Sequence, residues 1–294
     1  MTVAELLTII AQVSGLLGIV GSMLAMGLGL TLSQIIQPLK NARLVVLALL
    51  ANFVLVPLLA YGISLIIPLD DSLKIGLLVL ATSAGAPFLV LEAQGAKANL
   101  ALAVGVMTLL MVVTIFYLPV VLPLLLTGVE VDAWAIARSL IVLMLIPLIL
   151  GLLVNSNSPE TAKRWQPATN KIGGLGILIL LVVGLGLNAA NVIGLIGTRG
   201  FLALLLFILG SLLIGFAIGG RDPNVRNVTG LGTAQRNVSA AIVVTLQNFA
   251  DTNALPFVLV ASIVLPLILL SLAKWLGRRG EAPAVESPAA VPSA

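Results

Sequence analysis

Long apolar runs separated by short polar segments make up almost the whole sequence. Charges and clusters of Gly, Pro and Asn divide it into nine apolar segments, and a helix needs about 20 residues to cross a ~30 Å hydrocarbon core. Because lipid offers the backbone no hydrogen-bond partners and the runs lack strand-like alternation, each segment is predicted to be a helix. The predicted spans are residues 5–33, 44–67, 74–95, 98–126, 134–154, 171–191, 200–219, 227–249 and 254–277.

The composition agrees with an all-helical polytopic membrane protein. The chain of 294 residues is 60% hydrophobic and 9% charged, which leaves too little polar surface to cover a water-soluble domain. The first apolar run is too long for a cleavable signal and is expected to be the first span. Residues 1–277 are predicted to form one transmembrane bundle, and residues 278–294, rich in Pro, Ala and Ser, a disordered cytoplasmic tail.

The positions of Lys and Arg predict the orientation in the membrane. With nine spans, alternate loops lie on opposite sides, and one side receives eleven of these residues while the other receives Lys74, Arg138 and Arg199. The positive-inside rule places the side rich in Lys and Arg in the cytoplasm. We therefore expect a multi-pass protein of the cytoplasmic (inner) membrane, with its N-terminus outside and its C-terminus inside.

Cysteine and histidine are both absent from the sequence. Disulfides, thiolate nucleophiles, imidazole bases and the commonest metal ligands are thereby excluded, so neither an enzyme nor a resident metal or cofactor is expected. The net charge of +4 comes from basic residues that stand singly between apolar runs. We expect contacts with the lipid bilayer and no nucleic-acid partner.

Two spans differ from the others because they are short, polar and interrupted. The third contains ATSAGAPFLVLEAQGAKAN, residues 81–99, in which Gly and Pro interrupt the helix ahead of Glu92. The eighth contains TGLGTAQRNVSAA, residues 229–241, with glycines ahead of a polar triplet at 235–237. Interrupted helices at equivalent places in two inverted repeats build a binding site near the membrane midplane. Because these two lie five spans apart, we predict two inverted repeats whose broken helices cross.

Arg236 is predicted to lie deep in the membrane, within the eighth span. A charge there costs roughly 2.5–3.5 kcal/mol on insertion scales unless it faces a polar interior and has partners. We predict a built-in cation that holds the crossing together, receives an anionic substrate, or does each in turn. The alternative is a fixed set of bonds that only stabilises the crossing. Glu92 can pair with Arg236, carry a coupling proton, or lie near the cytoplasmic interface beside Lys97.

Other polar groups on the broken helices are further candidates for substrate binding or coupling. For each of them an interhelical hydrogen bond is the competing interpretation. Asn52, between two apolar runs of the second span, is a candidate of the same kind. The candidates on the broken helices are Ser83, Thr233, Gln235, Asn237 and Ser239.

Four segments resemble the bile acid:sodium symporter family. They are MGLGLTLSQIIQPLKNAR after the first span, ANFVLVPLLA in the second, AKANLALAVGVMT at the fourth and GTAQRNVSAAIVVTLQNFA in the eighth. The resemblance implies a ten-span transporter fold of two five-helix repeats, here without the family's first helix. It also implies a core at 74–126 and 200–277, which 44–67 can join by repeat symmetry, and a panel formed by the remaining helices.

The resemblance also implies sodium ligands, from which this sequence departs. The family motif E-x-G-M-Q-N, laid on the eighth span without gaps, places its Glu on Gly232 and its Gln on Arg236. The motif's final Asn is matched by Asn237. On the third span, Leu89 and Val90 stand where the family has a Ser and an Asn that bind sodium.

Two neutral residues occupy other places that the resemblance associates with sodium. Asn52 falls where the family has a further sodium-binding Gln, and Thr108 lies near a contributing Thr. Neutral donors cannot replace a carboxylate, because a hard cation requires several oxygens and negative charge. Sodium coupling is therefore expected to be absent or weak, and proton coupling stays open.

The expected function is secondary active transport of a small organic anion by alternating access. Helix N-termini attract anions and Arg236 adds a full positive charge, while the carboxylate class is implied by the resemblance. Two alternatives stay open: a non-transporting membrane receptor or scaffold, and a metalloid or auxin-type efflux carrier of the same broader group. The arsenite exporters of that group rely on a cysteine, which this chain lacks.

Overall fold

The computed structural model describes residues 2–36, 40–126, 129, 131–195, 199–249, 252 and 254–279. Within these ranges the secondary structure is helical, and seven helices are long and apolar enough to cross a membrane. The prediction of an all-helical polytopic membrane protein is confirmed. The count of nine spans and the inverted repeats stay predictions, and the predicted tail lies outside the described residues from position 280 onward.

Thirteen helical segments follow one another along the described residues. In chain order they are α1 (Val3–Gly29), α2 (Leu32–Ile36), α3 (Ala42–Ile66), α4 (Asp71–Thr82), α5 (Phe88–Gly95), α6 (Leu100–Leu125), α7 (Ala133–Asn157), α8 (Pro159–Leu187), α9 (Ala189–Leu195), α10 (Arg199–Ile218), α11 (Pro223–Ala234), α12 (Val238–Asn248) and α13 (Ala254–Arg279). The two spans predicted to be interrupted are the pairs α4–α5 and α11–α12.

Large apolar side chains cover the outside of the bundle. Ile66, Leu213 and Leu124 are 82%, 71% and 70% exposed. An exposed apolar surface of this kind is stable in lipid, where it meets hydrocarbon instead of water. The outward-facing side chains therefore agree with a membrane environment around the bundle.

Polar side chains at the ends of the spans determine where the helices begin. At α1, Thr2 accepts a hydrogen bond from the Glu5 backbone N–H while the Glu5 carboxylate accepts one from Thr2. Such caps satisfy N–H groups that have no partner inside the helix. The same role at later helices falls to Asn41, Asp70, Asn99, Asp132 and Asp222.

A π-helical turn at Ala51–Leu55 lies inside α3 and ends two residues before Pro57. Proline lacks an N–H and its ring crowds the carbonyl four residues earlier, which here is that of Phe53. The freed Phe53 carbonyl accepts a hydrogen bond from the Tyr117 hydroxyl of α6. The wide turn also places Asn52 in the buried interior of the bundle.

The polar segment predicted as a loop between the fifth and sixth spans is instead helical. α8 begins at Pro159, well before the predicted start near residue 171. Proline suits the first turn because the N–H it lacks would have no partner there. Most of the residues that follow are good helix formers, so the polar composition marks a solvated helical extension and not a loop.

α1 packs closely along α7 and α8 through glycines. A Cβ added to Gly151 would lie 2.5 Å from the Leu24 carbonyl oxygen, and one added to Gly18 would lie 2.6 Å from a backbone nitrogen of α8. Small residues permit this close approach. In lipid no hydrophobic effect drives helices together, so van der Waals packing of this kind holds them in contact. The three helices therefore pack together as one group. The boundaries of the panel and of the core stay predictions.

Substitution of Gly151 by Ala is expected to lower the melting temperature by roughly 5 °C. The added methyl group meets the α1 backbone, and overpacking costs about 1–3 kcal/mol, with about 2–4 °C per kcal/mol in a chain of this size. Thermal unfolding in detergent measures the effect. Gly62→Ala is the matched control, because no atom of the described residues lies within 4 Å of its added Cβ. Equal melting temperatures for the two variants would contradict the close packing.

The broken pairs pack crosswise against each other: α4 contacts α12, and α5 contacts α11. α6 and α13 pack around them, and α10 lies along α11. The two interruptions are therefore brought to one place in the interior, as predicted for crossing helices.

Candidate functional site at the helix crossing

Residues 83–87 and 235–237, which interrupt the two helices, meet in the interior of the bundle. The Asn237 backbone N–H donates to the Ser83 carbonyl at 2.8 Å, and Asn237 Nδ2 donates to the Gly85 carbonyl at 2.9 Å. Asn237 Oδ1 accepts from the Ala240 N–H at 3.0 Å and so caps α12. One buried side chain therefore joins the two breaks and begins the second half-helix.

The two breaks have different local causes. Gly85 has a φ of +78°, a left-handed conformation that favours glycine, and Pro87 precedes the first residue of α5. The glycines predicted to interrupt the eighth span, Gly230 and Gly232, lie inside α11. Their missing side chains make room for side chains of α10 and α5. The second break instead follows from the extended conformation of Gln235, the residue after α11.

The Arg236 guanidinium is fully buried among oxygen atoms at this crossing. Nη2 donates to Asn52 Oδ1 at 2.6 Å and to the Thr233 carbonyl, and Nη1 donates to the Ala81 carbonyl at 3.4 Å. The two carbonyls belong to the last turns of α11 and α4, where helix dipoles concentrate partial negative charge. The guanidinium thus lies between two half-helix C-termini, a place where such folds hold cations.

Asn52 connects α3 to this cluster. Its Oδ1 accepts from Arg236, and its Nδ2 donates to the Ala48 carbonyl at 3.0 Å and to Thr233 Oγ1 at 3.3 Å. The structure therefore brings together four predicted site residues, Asn52, Thr233, Arg236 and Asn237.

Gln235 and Thr108 take a smaller part in the crossing. Gln235 Nε2 lies 3.5 Å from the Arg236 carbonyl, and its buried Oε1 has no hydrogen-bond partner among the described residues. Thr108 Oγ1 donates to the Val104 carbonyl of its own helix at 2.8 Å, and no bond to the crossing is found in the described part of the chain.

Glu92 is fully buried, yet it does not pair with Arg236. Neither carboxylate oxygen has a hydrogen-bond partner within the described ranges. Glu92 lies along α5 beyond its start at Phe88, whereas the guanidinium bonds to carbonyls at the ends of α4 and α11. Of the three alternatives for Glu92, pairing with Arg236 is therefore not the one seen in this conformation.

A cavity of about 710 Å³ lies beside the crossing. The first residues of α5 and α12 form part of its wall. The N-termini of these two half-helices, which carry partial positive charge, therefore face the cavity. Apolar residues of α1, α6 and α8 line most of the remainder. The polar side chains in its wall belong to Ser22, Gln166, Asn170, Gln235, Arg236, Asn237, Ser239 and Ser262.

The sequence analysis did not identify the polar residues that α1 and α8 contribute to the cavity. Ser22 stands alone in an apolar run, whereas Gln166 and Asn170 fall in the segment that was predicted as a loop. Their spacing of four residues places them on one face of a helix. The signal that identifies Gln166 and Asn170 is therefore the helix start at Pro159.

Residues 16–195, more than half of the chain, match the family model described as the Sodium Bile acid symporter family. The chain belongs to this family. The identification confirms the suspected family. Three of the four segments that carry the resemblance lie within the matched residues, and the fourth, at 232–250, lies beyond them. The match extends from α1 to α9 and so includes the first broken pair and Asn52.

Similar curated proteins come from plants. A probable sodium/metabolite cotransporter of the chloroplast, BASS2 of Oryza sativa subsp. japonica, is 30% identical over 166 residues, which cover 56% of this chain and 39% of the relative. Chloroplastic proteins with the same description, BASS3 of Oryza sativa subsp. japonica and of Arabidopsis thaliana, are each 21% identical and cover 87% of this chain. The chain spans 62% and 61% of the length of these two relatives.

Proposed function

We propose that this chain is a secondary active transporter that moves a small organic anion by alternating access and does not require sodium. The observation on which the proposal rests is the Arg236 guanidinium between the C-termini of α4 and α11. Membership in the sodium bile acid symporter family supports transport, and the similar plant proteins are described as sodium/metabolite cotransporters.

The charges around the cavity favour an anionic substrate. Two half-helix N-termini meet the cavity, and its described wall contains Arg236 but no Asp or Glu. Asn237 and Ser239 can donate hydrogen bonds to a carboxylate placed at these helix ends. The apolar wall of α1 and α8 accommodates the body of such a molecule, which is typical of small-molecule sites.

The crossing favours independence from sodium because its cation site holds a protein side chain. Sodium requires several oxygens and negative charge. Here two backbone carbonyls and Asn52 Oδ1 already bond to Arg236, and Gly232 stands where the family resemblance places a carboxylate. At 4 Å, a sodium ion and the guanidinium would repel by about 4 kcal/mol at an effective dielectric constant of 20. We therefore propose that Arg236 permanently replaces a transported cation at the crossing.

The cavity extends toward the membrane side that is rich in Lys and Arg. It reaches Leu30 at the end of α1 and Gln166 in the first turns of α8. With this side in the cytoplasm, as we propose, the cavity corresponds to an inward-facing state. Movement of α1, α7 and α8 relative to the crossing would then expose the same helix N-termini to the outside.

Glu92 is the group proposed to carry a proton if transport is coupled to a proton gradient. It is a fully buried carboxylate on the broken helix whose start meets the cavity, and its oxygens have no bonds among the described residues. Intramembrane acids of this kind form proton relays in transporters.

Uptake by the full chain in proteoliposomes tests the proposed function. Thermal shift against small carboxylates, including bile acids and keto acids, first selects a ligand, because binding to the folded state raises the melting temperature. We expect equal uptake of that ligand when external sodium is replaced by choline. Uptake that requires a sodium gradient would contradict sodium independence. Ligand binding without uptake would instead favour the receptor alternative.

A further inference from the structure

A second cavity, of about 990 Å³, lies among the ends of four helices of the bundle. Among the described residues, it shares no lining residue with the cavity beside the crossing. Its wall is formed by the turn after α5, the end of α10, the start of α11 and the last turns of α13. By the positive-inside rule, these helix ends face the cytoplasm.

Three cationic side chains from different elements line this second cavity. Lys97 follows α5, Arg226 lies in the first turn of α11, and Arg279 ends α13. No acidic residue belongs to the described part of its wall. A concave surface with charges of one sign concentrates counter-ions, so this cavity attracts anions.

Asn227 also lines the cavity and is only 8% exposed, but its Oδ1, which has no hydrogen-bond partner in the described ranges, is an acceptor and does not hold an anion. One further feature of the wall fits an oxyanion with several acceptor atoms. The Arg279 guanidinium carbon lies 3.9 Å from the centre of the Trp275 ring, a cation–π contact that holds the guanidinium at the wall.

We propose that this second cavity binds a phosphate group, for which the nearest source is the headgroup of an anionic phospholipid. Arginine guanidinium groups match phosphate oxygens through paired hydrogen bonds. Trp275, which is 47% exposed, is the type of aromatic residue that lies at a membrane–water interface. Basic pockets between transmembrane helices on the cytoplasmic side recognise lipid headgroups in the same way.

The position of this site connects it to the crossing. α11 runs from Arg226 and Asn227 to Thr233, whose carbonyl accepts a bond from Arg236. α5 runs from the crossing to the turn that contains Lys97. A bound phosphate would therefore hold the outer ends of both half-helices together. The phosphate site itself does not depend on the proposed transport activity.

The test measures the melting temperature of the full chain, purified in neutral detergent, with three probes. Dioctanoyl phosphatidylglycerol is the anionic lipid, dioctanoyl phosphatidylcholine is the lipid without net charge, and inorganic phosphate is the soluble anion. We expect phosphatidylglycerol to raise the melting temperature more than phosphatidylcholine. In an Arg226→Gln/Arg279→Gln variant, we expect the half-saturating concentration to rise roughly fivefold for each lost guanidinium contact.

Arg164→Gln is the control, because Arg164 is exposed on α8 and lies outside the walls of both cavities. It should bind phosphatidylglycerol like the unmodified chain. Arg226 and Arg279 are also exposed, so their replacement is expected to leave the fold intact. Asn227→Asp provides a second variant, which should weaken binding by placing a negative charge in the cavity wall.

Each result of this test has a defined meaning. A phosphatidylglycerol response that falls in the double variant and persists in Arg164→Gln supports a lipid headgroup site. A response to inorganic phosphate alone, also lost in the double variant, supports the phosphate site but overturns the lipid source. The site is overturned if no probe produces a response, or if the responses of the double variant and the unmodified chain are equal.

Discussion

Substitution of Arg236 by Gln is expected to abolish uptake and to lower the melting temperature by roughly 5–10 °C. Gln cannot supply the charge that two half-helix C-termini require, nor reach all three acceptors of the guanidinium. Each buried acceptor left without a donor costs about 1–3 kcal/mol. Because these acceptors join α3, α4 and α11, their loss should loosen the crossing that forms one wall of the cavity.

Two further variants separate the role of the charge from that of the side-chain shape. Arg236→Lys retains the charge but not the forked guanidinium, so it should keep part of the stability and little of the uptake. Arg236→Ala leaves a space at the crossing that free guanidinium ion, at a non-denaturing concentration, should partly fill and so restore stability. Arg164→Gln, an exposed substitution on α8, serves as the control. Unchanged uptake and melting temperature in Arg236→Gln would contradict the built-in cation.

The orientation of the half-helices explains why one crossing can hold a fixed cation and still favour an anion. The C-termini of α4 and α11 face the Arg236 guanidinium, whereas the N-termini of α5 and α12 meet the cavity. The negative ends are therefore compensated inside the protein, and the partial positive charge of the other two ends faces the cavity. In this arrangement the Arg236 charge mainly stabilises the crossing. The proposed substrate would contact mainly uncharged hydrogen-bond donors.

Much of the crossing could be predicted because its sequence signals are local. Gly85 and Pro87 cannot continue an ordinary helix, and a buried charge such as Arg236 requires an interior polar environment. The partners of Arg236 could not be predicted, because two of them are backbone carbonyls, which every residue has. Only the packing of α4 against α12, and of α5 against α11, determines which carbonyls converge.

The predictions that failed were made from residue composition, which does not determine where a side chain lies in the folded chain. Glu92 and Arg236 are both buried charges on crossing helices, which made an ion pair a reasonable expectation. Glu92 lies beyond the crossing along α5, whereas the Arg236 guanidinium bonds to the ends of α4 and α11, and these positions are properties of the folded backbone. The start of α8 was misplaced because its first turns contain Glu160, Lys163, Arg164 and Gln166, which are polar and yet good helix formers.

Substitution of Gly85 by Ala is expected to be among the most destabilising single changes in the chain. With φ at +78°, an alanine is already strained, and its Cβ would lie 2.6 Å from the Met107 carbonyl oxygen and 2.7 Å from the Leu110 carbonyl carbon. These are backbone atoms of α6 and cannot move aside as a side chain can. Strain and overpacking each cost about 1–3 kcal/mol, so the melting temperature should fall by roughly 5–20 °C.

The effect of Gly85→Ala should extend to the second broken helix, because the Gly85 carbonyl accepts the Asn237 side-chain bond that joins the two breaks. Thermal unfolding and the yield of monodisperse protein measure the change. Gly186→Ala is the matched control, because in the described part of the chain nothing lies within 4 Å of its added Cβ and alanine is the better helix former. If Gly85→Ala unfolds at the temperature of this control, α6 does not approach the break as closely as the structure shows.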